Sequence, residues 1–249
     1  MTLRIAGAGR IAHLTLDRPA VLNAIDTAMC RAIMAGLDAL EAQGEASVLI
    51  VSGGTARGFS AGADLRHMRG LAAEDLRRFI ELTWRCFDRL AASPLVSIAA
   101  LHGYALGGGA ELALACDLRV AAEDAVIGFP EMTLGSVPGS GAMQRLPQLI
   151  GAPRALELVA TGRRLGGAEA AALGLVNRSV APGQALAEAQ ALADILATRP
   201  AAALRYAKAS LRVGADPALA PAVHGLISAV CQQDAAYRAN AAAVVERDR

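Results

Sequence analysis

Apolar positions along the chain follow two periods, and the switches between them mark its elements. Leu3 to Ile5 and Ile11 to Leu16 read as a first pair of strands, linked by the hairpin segment Ala6-Gly7-Ala8-Gly9-Arg10 and ended by Asp17-Arg18-Pro19. From Asp26, a candidate N-cap, apolar residues recur at Met29, Ile33, Leu37 and Leu40; this spacing predicts a helix to about Gln43, closed by Gly44. Ser47 to Val51 is a short continuous apolar run, the pattern of a strand covered on both faces, and Gly53 to Gly62 reads as loop. A second helix is predicted from Ala73 to Ala91, with Leu76, Phe79, Ile80, Trp84, Phe87 and Leu90 on one face and Trp84 in the core. Pro94 then leads into a strand, Leu95 to Leu101.

Beyond a glycine-rich stretch, Leu118 to Ala121 and Val126 to Phe129 read as strands. Gly139 to Ile150, Pro153 to Thr161 and Ala168 to Leu173 read as helices, followed by a strand from Leu175 to Val180. Past Pro182 the pattern becomes helical almost throughout: Gln184 to Thr198, Ala201 to Val213, and Pro217 onward, broken at Pro200, Gly214 and Pro217. The expected organisation is an α/β body over residues 1–182 and a helical region over 183–249.

Composition narrows the classes. The chain has 249 residues, 54% of them apolar but only 3% aromatic, so the core is built from many small contacts. A net charge of +1 leaves no nucleic-acid footprint. Four cysteines, Cys30, Cys86, Cys116 and Cys231, lack CxxC spacing, and His13, His67 and His224 show no ligand spacing; this fits free thiols in a reducing compartment and no metal site. No secretory leader is expected from Met1 to Arg10. Leu90 to Ala110 is uncharged and long enough to span a bilayer, but Pro94, Gly103 and three glycines interrupt it, so it reads as a strand running into a loop.

Three stretches hold candidate chemistry. In His102-Gly103-Tyr104-Ala105-Leu106-Gly107-Gly108-Gly109-Ala110-Glu111, three glycines follow an apolar run and open a helix in which Glu111 stands alone as a carboxylate. Glycine admits a ligand close to backbone N–H groups, and a helix start leaves N–H groups unpaired with partial positive charge; together they suit a developing negative charge. The same stretch equally fits tight strand–helix packing with Glu111 as a cap. In Arg57-Gly58-Phe59-Ser60-Ala61-Gly62-Ala63-Asp64-Leu65, the small residues again leave backbone N–H groups accessible. In the segment from Gly128 to Gly141, Glu131 stands alone among apolar and turn residues. Glu111 and Glu131 can face one pocket, although spacing alone does not bring them together.

Taken together, Arg57 to Leu65, His102 to Asp117 and Phe129 to Leu146 resemble the enoyl-CoA hydratase/isomerase (crotonase) family in its order and spacing. Leu16-Asp17-Arg18-Pro19, Asn23-Ala24, Thr161-Gly162 and Ala170 to Val176 fit as well, so the resemblance runs over residues 3 to 182 and fades in the tail. It implies an α/β crotonase-like spiral of ββα units, with a C-terminal helical region joining subunits into homotrimers or homohexamers. The ligand implied is an acyl-CoA thioester. Its carbonyl would sit in an oxyanion hole made by the backbone N–H groups of Ala63 and Gly108.

The resemblance further implies that Glu111 and Glu131 hold a water, with Glu131 donating a proton to C2, and that their pKa values are pushed apart. It places Ala61, Asp64, Leu65, Arg66, Gly107 and Gly139 along the substrate. Asp64 would order the hole loop, with an N-cap or turn role as the alternative; Arg66 would lie near the CoA phosphates, with a solvated arginine as the alternative; and Gly139 would offer its N–H beside the water. His102 and Arg145 would be structural, and Tyr104 would pack beneath the glycine loop. The activity implied first is trans-2-enoyl-CoA hydration in fatty acid metabolism; the alternatives are double-bond isomerisation or another lyase reaction of the family, and a non-catalytic acyl-CoA-binding role. No metal or redox cofactor is implied, since CoA arrives with the substrate; nor is a nucleic-acid or membrane partner, and a cytoplasmic setting is expected. Two departures stand out. Gly141-Ala142-Met143 replaces the usual Gly-Gly-Thr before Gln144-Arg145-Leu146, and the tail around Asp234 to Arg238 lacks the usual adenine-side pattern.

Overall fold

Strand β1 (Leu3–Ala8) runs antiparallel to β2 (Ile11–Leu16), in register from Leu3 opposite Leu16 to Ala8 opposite Ile11. The turn is confined to Gly9 and Arg10, so the strand takes in three of the residues expected in the link. The computed structural model describes residues 2–55, 57–213 and 220–247. The breaks expected at Gly214 and Pro217 lie outside the described residues.

From β2 a six-stranded sheet continues in parallel through β3 (Val48–Ser52), β4 (Val96–Leu101), β6 (Leu118–Ala122) and β9 (Arg178–Val180). A second sheet holds β5 (Tyr104–Leu106), β7 (Val126–Gly128) and β8 (Arg164–Gly166) in that order. Strand pairs that follow one another in sequence are therefore split: β4 and β6 lie in the large sheet, while β5 and β7 lie in the small one. Each such pair leads to a helix, β4–β5 to α4 (Gly108–Ala115) and β6–β7 to α5 (Ala142–Ile150). This is the ββα repeat that the resemblance implies. Strand β9 covers only the end of the expected 175–180 strand, because the Leu175 and Val176 N–H groups turn back to the carbonyl of Ala170.

Every residue of β3 and β4 is buried, as their uninterrupted apolar runs anticipate. Helix α1 (Thr27–Gln43) begins where Asp26 accepts the Met29 N–H and ends at Gly44 in the left-handed conformation. It packs against α3 (Ala73–Ala92), tied by Arg89 to Glu41 and Asp38. Helix α2 (Leu65–Arg69) and a 3-10 turn, Pro130–Leu134, lie in segments where no helix was expected. Helices α6 (Ala152–Thr161) and α7 (Gly167–Ala172) follow α5 and β8.

Helix α8 (Ala185–Ala197) starts beyond residue 182 yet packs on the large sheet, with Ala185, Ala189 and Ala193 forming its buried face. Helix α9 (Ala201–Val213) is pinned to the body by Lys208, whose Nζ lies 2.7 Å from both Asp117 Oδ2 and the Leu95 carbonyl. Helices α10 (Ala220–Gln233) and α11 (Ala235–Arg247) complete the chain. Among the described residues no helix is long and apolar enough to cross a membrane; the uncharged stretch from 90 to 110 comprises the end of α3, strands β4 and β5 and the start of α4. Trp84 is not in the core: it is 37% exposed and, with Ile80 and Gly139, borders a recess of about 330 Å³.

Candidate active site

The turn from β5 into α4 depends on Gly107. Its φ is +50°, and a Cβ there would lie 2.9 Å from Glu131 Oε1, so a side chain would meet both backbone strain and the carboxyl group. Gly108 follows as the first residue of α4, where an N–H has no intrahelical carbonyl to meet.

The 58–64 loop lies against this turn. It extends the small sheet, with Phe59 and Ser60 N–H groups donating to the carbonyls of His102 and Tyr104, and Leu106 N–H donating to that of Ser60. Gly62 has a φ of +98°, and a Cβ on it would sit 2.6 Å from the Leu106 carbonyl oxygen and 3.2 Å from Gly108 N. In this loop the N–H of Ala61 goes to the Leu22 carbonyl, that of Gly62 to Ser60 Oγ, and that of Asp64 to the Ile25 carbonyl. The Ala63 N–H has no such partner among the described residues. Gly108 is close beside it, since a Cβ on Gly108 would be 3.3 Å from Ala63 N. Two backbone donors from distant stretches are thus side by side.

Glu111 is 2% exposed, one turn into α4. It caps nothing in its own helix: Oε1 accepts the Ser140 N–H at 2.7 Å and the Ala142 N–H at 3.1 Å. The Ala142 N–H is free to donate because α5 starts there rather than at the expected Gly139. The residues before it stay non-helical, with Gly141 at a φ of +113°. Ser140 is fixed in turn by its hydroxyl, 2.7 Å from Thr83 Oγ1 of α3. Burial pushes the Glu111 pKa up, opposed by the N–H groups of Ala142 and Ser140 and by the charge of Arg145.

Glu131 enters from the 3-10 turn. Its Oε2 is buried with no hydrogen-bond partner among the described residues. Burial raises its pKa to about 7, its own backbone N–H opposes this, and the nearby charge of Glu111 pushes further upward. The two carboxyl groups therefore share one electrostatic environment, which raises both pKa values, but differ in their partners. Glu111 has donors that favour a carboxylate, whereas Glu131 has an unpartnered oxygen that favours a protonated acid.

The remaining sequence candidates fall at different depths. Gly107 is buried, Gly139 and Ala61 are partly buried, and Leu65 and Arg66 are exposed on α2. Asp64 turns away from the donors to cap α2, accepting from Arg66 N–H at 3.1 Å and His67 N–H at 3.2 Å. His102 and Tyr104 are half-buried beside the 58–64 loop, which their carbonyls hold. Arg145 reaches beyond its own helix, to the Ser140 carbonyl and to Asp88 of α3. No group of three His, Cys, Asp or Glu side chains suited to a metal ion occurs among the described residues.

Sequence reasoning missed Ser140 and Ala142, which act through backbone N–H groups that no side-chain pattern announces. It also gave no role to Asn23, fully buried, whose Nδ2 donates to the carbonyls of Gly53, Gly58 and Phe59. The pair Asn23-Ala24, four residues beyond Pro19, was the available signal.

The chain and its fold have counterparts among known proteins. The family model for enoyl-CoA hydratase/isomerase matches residues 7–236. The chain is 40% identical over 222 residues to enoyl-CoA hydratase domain-containing protein 2, mitochondrial, of Bos taurus, covering 87% of this chain and 75% of that protein. Its structure matches that of enoyl-CoA hydratase from Bacillus anthracis with a TM-score of 0.93 at 30% identity, covering 100% of this chain and 97% of the other. The Mycobacterium smegmatis enoyl-CoA hydratase structure gives a TM-score of 0.94 at 27% identity, over 99% of this chain and 97% of the other.

Proposed function

We propose that this chain, which belongs to the enoyl-CoA hydratase/isomerase family, is an enoyl-CoA hydratase that adds water syn across a trans-2-enoyl-CoA to give a 3-hydroxyacyl-CoA. The observation that carries the reading is the unequal carboxyl pair: Glu111 held by two N–H donors, and Glu131 with a buried unpartnered oxygen and a pKa of about 7. Hydration needs that inequality, one group to take a proton from water and one to give a proton to carbon.

In the proposed reaction the thioester oxygen accepts hydrogen bonds from Ala63 and Gly108. Glu111 takes a proton from water as the oxygen bonds to C3, and the C2–C3 π electrons move toward the thioester as an enolate. The two N–H donors stabilise that charge more than the neutral carbonyl. Glu131 then protonates C2, and transfer of the proton from Glu111 to Glu131 restores the starting state. Ala61, Gly107 and Gly139 line the substrate, while Leu65 and the exposed Arg66 lie toward the CoA moiety. The reaction draws on no metal or redox cofactor, because CoA is part of the substrate. A homotrimer or homohexamer joined through the 183–249 region accommodates the exposed apolar residues Leu211, Leu226, Val230 and Tyr237. A reducing, cytoplasmic setting suits the free thiols of Cys30, Cys86, Cys116 and Cys231.

Purified protein should remove the enoyl absorbance of crotonyl-CoA and of longer trans-2-enoyl-CoA thioesters. Inactivity on this panel, with turnover of 3-enoyl-CoA in its place, would replace hydration by isomerisation. Saturable acyl-CoA binding without turnover of either would leave the non-catalytic reading.

A further inference from the structure

The donor attributed to Ala63 is only as good as the position of its peptide, and that peptide is strapped to one residue. The Ile25 N–H donates to the Gly62 carbonyl at 2.8 Å, and the Asp64 N–H donates to the Ile25 carbonyl at 2.8 Å. Ala63 lies between those two bonds, in a one-residue parallel bridge to Ile25. On its N-terminal side the loop is held by the Ala61 N–H bond to the Leu22 carbonyl and by the Asn23 side chain on the Gly58 and Phe59 carbonyls; the 63–64 side needs a tie of its own.

Arg18 touches both sides of the bridge. Its Nη1 donates to the Ala24 carbonyl and lies 3.1 Å from Asp26 Oδ2, so it grips the residues on either side of Ile25. Its Nη2 lies 3.1 Å from Asp64 Oδ2, the residue after Ala63. The two carboxylates are also helix caps: Asp26 Oδ1 accepts the Met29 N–H of α1, and Asp64 Oδ1 accepts the N–H groups of Arg66 and His67 of α2. All three side chains are largely buried, at 20% exposure for Arg18, 18% for Asp26 and 12% for Asp64. Without the guanidinium, two carboxylates of like charge would face each other across the bridge and push its sides apart.

We propose that Arg18 is a positioning residue for the thioester-oxygen site, its guanidinium locking the Ala63 peptide by joining the caps of α1 and α2 across the Ile25 bridge. This rests on the reading of Ala63 as an oxyanion donor. A donor of that kind acts only when held close to the place the oxygen will occupy, and a shift of about 1 Å costs on the order of a hundredfold in rate. Lysine cannot replace the clamp, because one ammonium lacks the planar fork that serves two carboxylates and a carbonyl together.

The test is the infrared carbonyl stretch of a saturated acyl-CoA labelled with 13C at the thioester carbon, bound to wild type, Arg18→Lys and Arg18→Met. Arg89→Met, which breaks the α1–α3 ion pairs away from the site, controls for lost stability. The expected result is a lowered stretch in wild type and Arg89→Met, a partly relaxed stretch in Arg18→Lys, and one near the free value in Arg18→Met. In turnover, kcat for Arg18→Met should fall about 30- to 100-fold with KM within about threefold. If Arg18→Met does not fold, Arg18→Lys decides. A wild-type stretch that is lowered but unchanged in the Arg18 variants overturns the positioning role alone. A wild-type stretch equal to that of the free thioester overturns the oxyanion reading and this proposal with it.

Discussion

Replacing Glu131 by Gln should lower kcat for enoyl-CoA hydration by about 10³-fold, within the 10²–10⁴-fold span of general acid–base catalysis, with a much smaller change in KM. The variant keeps the shape of the side chain beside Gly107 and removes only the transferable proton. Glu111→Gln should cost a similar factor for a different reason, since an amide oxygen can still accept the Ser140 and Ala142 N–H groups but cannot take a proton from water. Because the two act in one proton cycle, the double variant should lose far less than the product of the single losses. The pH profile follows from the sign of each shift. Glu131 must be protonated and its pKa is raised to about 7, so activity should fall as pH rises through that value. Glu111 must be ionised and its pKa is raised by burial, so the acid limb should lie above the ordinary carboxylate range. The two apparent values belong to the pair. In Glu131→Gln, the alkaline limb should vanish from the residual activity.

Gly108→Pro should cost about 10²–10³-fold in kcat, the loss measured when one oxyanion donor is removed from other enzymes. Proline at the first position of a helix removes an N–H that the helix does not use, so α4 itself is expected to form. Comparison with Gly108→Ala, which keeps the N–H, isolates the donor from the added side chain. Both side chains would place a Cβ 3.3 Å from Ala63 N, so the loss specific to the donor is the difference between the proline and alanine variants. The measurement is kcat and KM on crotonyl-CoA, together with retention of Tm. A proline variant with wild-type kcat would remove Gly108 from the catalytic account.

The strands and the long helices were legible because each rests on a local signal, whereas the pairing of distant stretches followed only from the family resemblance. Met29, Ile33, Leu37 and Leu40 write the buried face of α1 into its spacing, and the runs from 47 to 51 and 95 to 101 announce strands covered on both sides. Glu111 and Glu131 were visible as isolated carboxylates in apolar sequence. What set them apart chemically was not visible. That depends on where α5 begins, and the glycines and serine from 139 to 141 are compatible with either a helix start or an extended approach. In the extended approach Ser140 is held by Thr83 and Glu111, partners from distant elements that the local sequence does not show. Trp84 was misplaced because helical spacing gives the buried face of α3 to within one residue, while the width of the groove beside Gly139 depends on a distant segment. The Arg18 clamp, joining residues 46 positions apart, exists only once Ile25 has met Ala63.

The most direct test of the central claim is hydration of crotonyl-CoA in deuterated water, with the product read by NMR. The account predicts 3-hydroxybutanoyl-CoA with one deuterium at C2 on the same face as the new hydroxyl, formed by wild type and lost in Glu131→Gln. No addition of water, deuterium on the opposite face, or equal rates in the two proteins would contradict it.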